Sequence, residues 1–372
     1  MSHLCHKGPY LRDLSSKRGN TPASWQLRSK ATLLITNKEK SDVGVYRRTK
    51  RFTSIAALAA ASAITLAACS SGSDSAEETT GDSGGALASE YDLGGIDVAV
   101  GSKDFDEQLI LGQMMVQAFE AAGANVSDKV NLGGTSVARS ALESGEIDVY
   151  MEYNGTGWTV HLGLEDPSFD SNELTSGVRE KDLAENNIVW VGQSPFNNTY
   201  GFASSPAATE ANGGAFTLQT MMEFVRDNPD ATVCMESEFP DRPDGLIRTE
   251  TATGITVPDA QKNILDTGVI YTETAADNCT FGEIFTTDGR IPALGLTLVE
   301  DPGVNIVYNV SATMRKETYD QAPEAFTGIT DAILAPLDNV KMAELNAKVS
   351  AEGEEPAAVA REYLIEQGII AG

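Results

Sequence analysis

Between Ile96 and Glu152 apolar residues switch twice from alternating runs to helical spacing and back, and this rhythm restricts the chain more than any other feature. Ile96-Asp97-Val98-Ala99-Val100 alternates as a strand, and Gly101-Ser102 turns the chain. Helix is expected from near Asp104, with Leu109, Ile110, Met114 and Phe119 as its apolar stripe as far as Gly123. A strand follows around Val126 to Leu132, then a Gly133-Gly134 turn, a helix capped by Thr135 or Ser136, and a buried strand over residues 147–152. Strand–helix–strand–helix–strand order predicts an α/β fold with a parallel sheet covered by helices. Ligands of such sheets bind beyond the carboxyl ends of the strands, here Gly101-Ser102-Lys103 and Glu152-Tyr153-Asn154-Gly155-Thr156-Gly157.

Later segments repeat the pattern less regularly. Val189 to Val191 and Val233 to Glu236 read as strands, Thr217 to Asn228 as a helix capped by Thr217, and strands are expected near Leu294 to Val299. Asp331 to Val349 and Pro356 to Gln367 read as helices, the second starting on a proline and stopping at Gly368. Asp104, Asp106 and Glu107 sit where a helix dipole favours negative charge, which gives all three a structural reading.

Upstream the chain changes character. Residues 1–68 hold 12 Lys/Arg against 3 Asp/Glu, and residues 69–372 hold 15 against 51. A body this acidic repels phosphate backbones and anionic lipid, so nucleic-acid binding is excluded as a class. Surface acid of this kind keeps an exported protein soluble and monomeric, and a monomer is expected; a calcium-binding surface is the alternative.

Arg47-Arg48-Thr49-Lys50-Arg51 precedes an apolar run from Phe52 to Ala68, the layout of a signal peptide over residues 47–68. Leu66-Ala67-Ala68-Cys69 then resembles the bacterial lipobox, which implies acylation of the Cys69 thiol and a lipid anchor to the outer face of the cell membrane. Residues 69–94, rich in Ser, Gly, Ala and acids, read as a disordered tether with little to bury. Residues 1–46 read as a misassigned leader, with the true start near Val43 or Val45. Nothing after Cys69 is long and apolar enough to span a bilayer.

Of four cysteines, Cys5 falls in the leader and Cys69 at the lipid site. Cys234 and Cys279 remain, and in an oxidising exterior such a pair is expected to form a disulfide. His161 is the one histidine after Cys69, too few for zinc chemistry or a histidine-based triad, so neither metal nor cofactor is expected. His161 reads as an ordinary surface or hydrogen-bonded residue.

Five motifs together are specific: Gly-Ser-Lys-Asp-Phe-Asp-Glu-Gln at 101–108, Gly-Gly-Thr at 133–135, Gly-Glu-Ile-Asp-Val-Tyr-Met-Glu-Tyr-Asn-Gly-Thr at 145–156, Phe-Asn-Asn-Thr-Tyr at 196–200 and Thr-Thr-Asp-Gly-Arg-Ile at 286–291. With them the chain, from Ile96 to its end, resembles the substrate-binding lipoproteins of osmoprotectant ABC importers, the quaternary-amine family that carries glycine betaine, choline and carnitine. The resemblance implies a type II periplasmic-binding-protein fold. Lobe 1 would comprise 95–198 plus 302–372 and lobe 2 199–301, each a sheet flanked by helices, with the ligand in the cleft between. It also implies a partner permease with its ATPase, and no enzymatic activity.

A trimethylammonium group has spread charge and no N–H to donate, so the negative faces of aromatic rings are what can select it. By motif matching, the family's cage positions fall on Tyr153, Tyr200, Phe285 and Tyr308, and polar contacts to the ligand's other end on Asn198, Thr156 and Ser102. Phe285 stands where relatives often have Tyr, and Ile306 and Val307 replace the prolines that often precede the position of Tyr308. Phe239 and Tyr271 are reserve candidates whose simpler role is packing, and Asp288 and Arg290 read as a charged pair holding a turn. Two readings compete with capture for import: a surface hydrolase using paired carboxylates such as Asp104 and Glu152, and a sensor lipoprotein on the same fold.

Overall fold

The computed structural model describes residues 86–372. The leader, the basic and apolar stretch, Cys69 and the tether as far as residue 85 lie outside the described residues. Among the described residues ten strands run in chain order as β1 (Asp97–Gly101), β2 (Asn125–Lys129), β3 (Val149–Tyr153), β4 (Ile188–Val191), β5 (Tyr200–Ser204), β6 (Val233–Met235), β7 (Lys262–Ile264), β8 (Phe281–Phe285), β9 (Thr297–Leu298) and β10 (Val310–Arg315). They form two five-stranded sheets, ordered β2-β1-β3-β10-β4 and β7-β6-β8-β5-β9.

Each sheet is mixed rather than wholly parallel. In the first, β1 pairs parallel with β2 and β3, as the rhythm of the sequence predicts, but β10 lies antiparallel between β3 and β4. The departure has a topological cause. β10 enters after the chain has built the second sheet, so it arrives from the opposite end and no βαβ crossover fixes its direction. In the second sheet the same logic makes β5 antiparallel to β8.

Helix α1 (Asp106–Ala121) begins two residues later than expected and closes one face of the first sheet. Ile110, Leu111, Met114, Met115, Ala118 and Phe119 are fully buried, and Phe119 meets Phe326 edge-on at 5.4 Å. Burying a side chain of the size of Phe119 contributes about 1.5–3 kcal/mol. Helix α2 (Thr135–Ser144) starts after Gly134 with no side-chain cap of its own, contrary to the expected Thr or Ser cap. The helix expected over 331–349 is two, Pro323–Leu334 and Asn339–Ser350, divided around Pro336, which cannot donate to a continuing ladder. Around Leu294 the chain is helical (Arg290–Leu294) before the short β9. Thr217 does cap the helix Leu218–Asp227, through a reciprocal capping box with Thr220.

The tether reading extends too far. Leu87–Glu90 forms a 3-10 turn, and the amides of Leu87 and Ala88 bond the carbonyls of Gly368 and Ile369. Ala88 and Leu93 are buried, so the end of the stretch does have apolar groups to place. The Cys234–Cys279 disulfide is formed, with Cα atoms 5.8 Å apart. It joins β6 to the residues leading into β8, two strands that already pair in the sheet.

Two connectors link the sheets, one between β4 and β5 and one between β9 and β10, and they are bonded to each other. Asn309 donates its side-chain amide to the carbonyls of Ser194 and Phe196. The Asn198 amide donates to the Tyr308 carbonyl, the Tyr308 amide to Asn197 Oδ1, and the Thr199 hydroxyl to the Ile306 carbonyl.

Candidate functional site

Between the sheets lies a cleft of about 700 Å³, and strand ends from both sheets open into it. Tyr153 ends β3, Tyr200 begins β5, Phe285 ends β8, and Tyr308 stands just ahead of β10. All four line the cleft. Tyr200 is the centre of the group, with ring centroids 5.3 Å from Phe285 and 5.4 Å from Tyr308, the latter edge-on. Tyr153 faces Tyr308 at 6.4 Å. Gly155 makes room for this, because a Cβ there would stand 2.8 Å from Tyr308 Cε1 and from the Val307 carbonyl.

A fifth ring, Phe105, was not foreseen. It lies on the cleft wall between Tyr153 (6.3 Å) and Phe285 (5.2 Å), nearly parallel to both. Its neighbours Asp104, Asp106 and Glu107 read as a helix start, which hid a ring standing at the carboxyl end of β1, where open sheets hold ligands. Phe239 packs behind Tyr200 at 5.0 Å. Tyr271 is buried and its hydroxyl accepts from the Phe285 amide, so both reserve candidates support the rings rather than form the wall.

Each polar candidate has partners of its own. Asn198 lines the cleft, donates to Glu107 Oε1 at 2.8 Å and accepts from the Thr287 amide at 3.3 Å. Thr156 also lines it, and its hydroxyl oxygen accepts from Arg242 Nη2 at 3.3 Å. Ser102 is not brought to the wall. Its hydroxyl is buried, donating to the Lys103 carbonyl and accepting from the Asn131 amide, so it shapes the turn after β1.

Beneath the rings are two buried charge clusters that local sequence could not reveal. Glu107 accepts four side-chain hydrogen bonds, from Tyr153, Asn198, Thr287 and Asn346. Burial pushes its carboxyl above the ordinary value, and the four bonds oppose that rise. Glu152 is held by Lys103 Nζ at 2.7 Å, His161 Nε2 at 2.8 Å, the Tyr150 hydroxyl and the Tyr153 amide. Burial raises the Glu152 carboxyl, but the Lys103 ammonium and His161 ring outweigh it and hold it well below the usual range. His161 is thus a hydrogen-bonded residue, as expected.

The second sheet's side contributes an arginine. Arg242 grips Asp244 through Nε and Nη2, and Asp244 in turn accepts the Tyr308 hydroxyl at 2.8 Å. Arg242 also lies over the Tyr200 ring at 5.5 Å and donates to Thr135 Oγ1 at 3.1 Å. Burial and nearby carboxylates raise the hydroxyls of Tyr153 and Tyr308 well above 10, so both stay neutral donors. Asp288 and Arg290 pair at 2.6 Å and hold the turn ahead of residues 290–294, and Arg290 also lies 4.6 Å from the centre of the Tyr271 ring.

The structure does not bring together the two carboxylates weighed for hydrolysis. Glu152 is fully buried and committed to four partners, so Asp104 and Glu152 do not face one another across the cleft. Among the described residues, no helix is long and apolar enough to cross a membrane.

Residues 96–366 match the family model described as the substrate binding domain of ABC-type glycine betaine transport systems. Over 278 residues the chain is 31% identical to the glycine betaine-binding protein YehZ of Escherichia coli, covering 73% of this chain and 90% of that one. It is likewise 31% identical over 281 residues to a glycine-betaine-binding protein of Pseudomonas aeruginosa, covering 73% of this chain and 88% of the relative. The apo structure of the Escherichia coli protein superposes with a TM-score of 0.53 at 28% identity, over 73% of this chain and 99% of that one. A glycine betaine/carnitine/choline ABC transporter structure superposes at 0.58 over the same shares; at 23% identity that likeness is one of fold, and the fold is the type II binding-protein one expected. These relatives are transport proteins rather than enzymes, and this chain belongs to the family of substrate-binding domains of ABC-type glycine betaine transport systems.

Proposed function

We propose that the chain works outside the cell membrane, captures a quaternary-ammonium osmolyte between its two lobes and delivers it to a permease driven by an ATPase. The cage consists of Tyr153, Tyr200, Phe285 and Tyr308, joined by Phe105. The lobes are residues 95–198 with 302–372, and 199–301, and the protein acts as a monomer anchored through lipid on Cys69. One observation carries this reading: five rings at or near strand ends of both sheets line a single cleft, with the three tyrosines neutral. Each ring that meets the cation contributes roughly 0.5–2 kcal/mol, so a cage both binds the group and rejects hydrated sodium and potassium.

Asn198 and Thr156 orient the ligand while bonded to Glu107 and Arg242, and Ser102 acts one step back by fixing the Lys103 backbone. No observation favours a hydrolase. Isothermal titration of the portion from Ser70 onward with betaine, choline, carnitine and proline tests the reading, and absence of binding to every trimethylammonium compound would sink it.

A further inference from the structure

Four of the five rings stand at, or two residues from, one buried hydrogen-bond network, and its centre is a carboxylate that is not part of the cleft wall. Glu107, 2% exposed, follows Phe105 by two residues in the first turn of α1. Its Oε1 accepts from the Tyr153 hydroxyl and from Asn198 Nδ2, both at 2.8 Å. Its Oε2 accepts from the Thr287 hydroxyl at 2.6 Å and from Asn346 Nδ2 at 2.9 Å. Asn198 precedes Tyr200 by two residues, and Thr287 follows Phe285 by two.

The network closes on itself at Thr287. The Thr287 amide donates to Asn198 Oδ1 at 3.3 Å, and its carbonyl accepts from Asn346 Nδ2 at 2.9 Å. These two bonds fix which way both amide side chains face, so each presents its NH2 to Glu107 and neither turns round without giving up Thr287. A carboxylate has an acceptor site for each of four converging donors, whereas a glutamine would set an NH2 against some of them. Unlike Glu152, Glu107 makes no ion pair among the described residues. Neutral donors alone meet its charge, and a buried charge of that kind is tolerated only while its bonds are kept. Those donors come from the end of β3 in the first sheet, the connector after β4, the turn after β8 in the second sheet, and the helix Asn339–Ser350. Gly289 seats that turn against the same helix, since a Cβ there would stand 2.4 Å from Ala347 Cα.

We propose that Glu107 is the positioning residue of the cage. It meets no ligand, and by gripping Tyr153, Asn198 and Thr287 together it sets the spacing between rings carried by the two sheets, and with it how sharply the protein counts methyl groups on a nitrogen. A ring attracts a cation only within about 6 Å of its centroid, so the spacing of opposed rings decides whether three methyls fill the space or two leave a gap. The inference rests on the cage reading and adds to it what holds the rings in register.

Choline and glycine betaine, each set against its dimethyl counterpart, dimethylaminoethanol and dimethylglycine, read that spacing when titrated into the full-length protein in a non-ionic detergent. Thr287→Val removes one donor to Glu107 and keeps the side chain's shape. Kd for the trimethyl compounds should then rise about fivefold and the preference for them over the dimethyl ones fall about threefold, while Thr287→Ser stays within about twofold on both counts. Glu107→Gln should cost about tenfold or more, and because both groups act through one network, adding Thr287→Val to it should weaken binding by no more than about another twofold. The Thr287 variants decide the question even where Glu107→Gln does not fold. Unchanged affinity and preference in Thr287→Val overturn the inference, as do a loss of affinity at constant preference, a serine variant that falls as far as the valine one, or effects that multiply in the double variant. Each of these leaves the cage standing. Binding of no trimethylammonium compound by the unaltered protein overturns both.

Discussion

Tyr200 offers the sharpest test of what the rings do, because its face and its hydroxyl can be removed separately. The side chain is 8% exposed and touches Phe239, Phe285 and Tyr308 at centroid distances of 5.0, 5.3 and 5.4 Å. Its hydroxyl has no hydrogen-bond partner among the described residues, unlike those of Tyr153 and Tyr308. Tyr200→Phe keeps the electron-rich face, so the Kd for a trimethylammonium ligand should stay within about twofold. Tyr200→Leu keeps apolar bulk but removes the quadrupole, at a loss of about 1–2 kcal/mol, which raises Kd roughly 5- to 30-fold. The same change weakens three ring pairs worth about 0.5–1.5 kcal/mol each, so circular dichroism must confirm that the variant is folded at the titration temperature. Isothermal titration supplies the Kd values. A leucine variant that binds like the parent, or a phenylalanine variant that binds far worse than it, would refute the argument that ring faces select the cation.

Two further outcomes follow from buried groups. Burial, and then the Glu236 carboxylate, raise the Glu283 carboxyl well above its ordinary 4.5, so the contribution of Glu283 to folding is complete below that pH and is lost as pH climbs through its folded value. Glu283→Gln should therefore gain in Tm on the parent as pH rises from about 4.5, and melting curves that shift in parallel would contradict the assignment. Replacing Cys234 and Cys279 together by serine frees a loop of 45 residues and should cost about 4 kcal/mol in the loop-entropy account, read by chemical denaturation. A loss under about 1 kcal/mol would mean that residual structure already restrains that loop in the denatured chain.

The cleft was legible in the sequence to the extent that its residues sit at strand ends. Tyr153 and Tyr200 are adjacent to motifs that mark such ends, and periodicity located β1, β3 and β4. What could not be read is pairing across long separations. Glu107 meets Asn198, Thr287 and Asn346 from 91, 180 and 239 residues away, and at the start of a helix its charge already had a sufficient local explanation. Glu238 caps α2 from 103 residues away, which is why the cap was sought in Thr135 or Ser136. Phe105 was hidden by the acids around it, and the antiparallel entry of β10 depends on where a detour through another sheet ends. Burial at Ala88 and Leu93 was missed because their composition resembles the linker preceding them.

The cross-bonding of the two connectors has a mechanical consequence. Two strands of chain joined rung by rung, through Asn309, Tyr308 and Thr199, behave as a flat ribbon, which flexes easily about the line across its width and strongly resists torsion. Any opening of the cleft is thereby expected to be a jaw-like swing that returns each ring to the same opposing neighbours. A partner touching the domains of both sheets would then sense loading as a change of angle between two fixed faces.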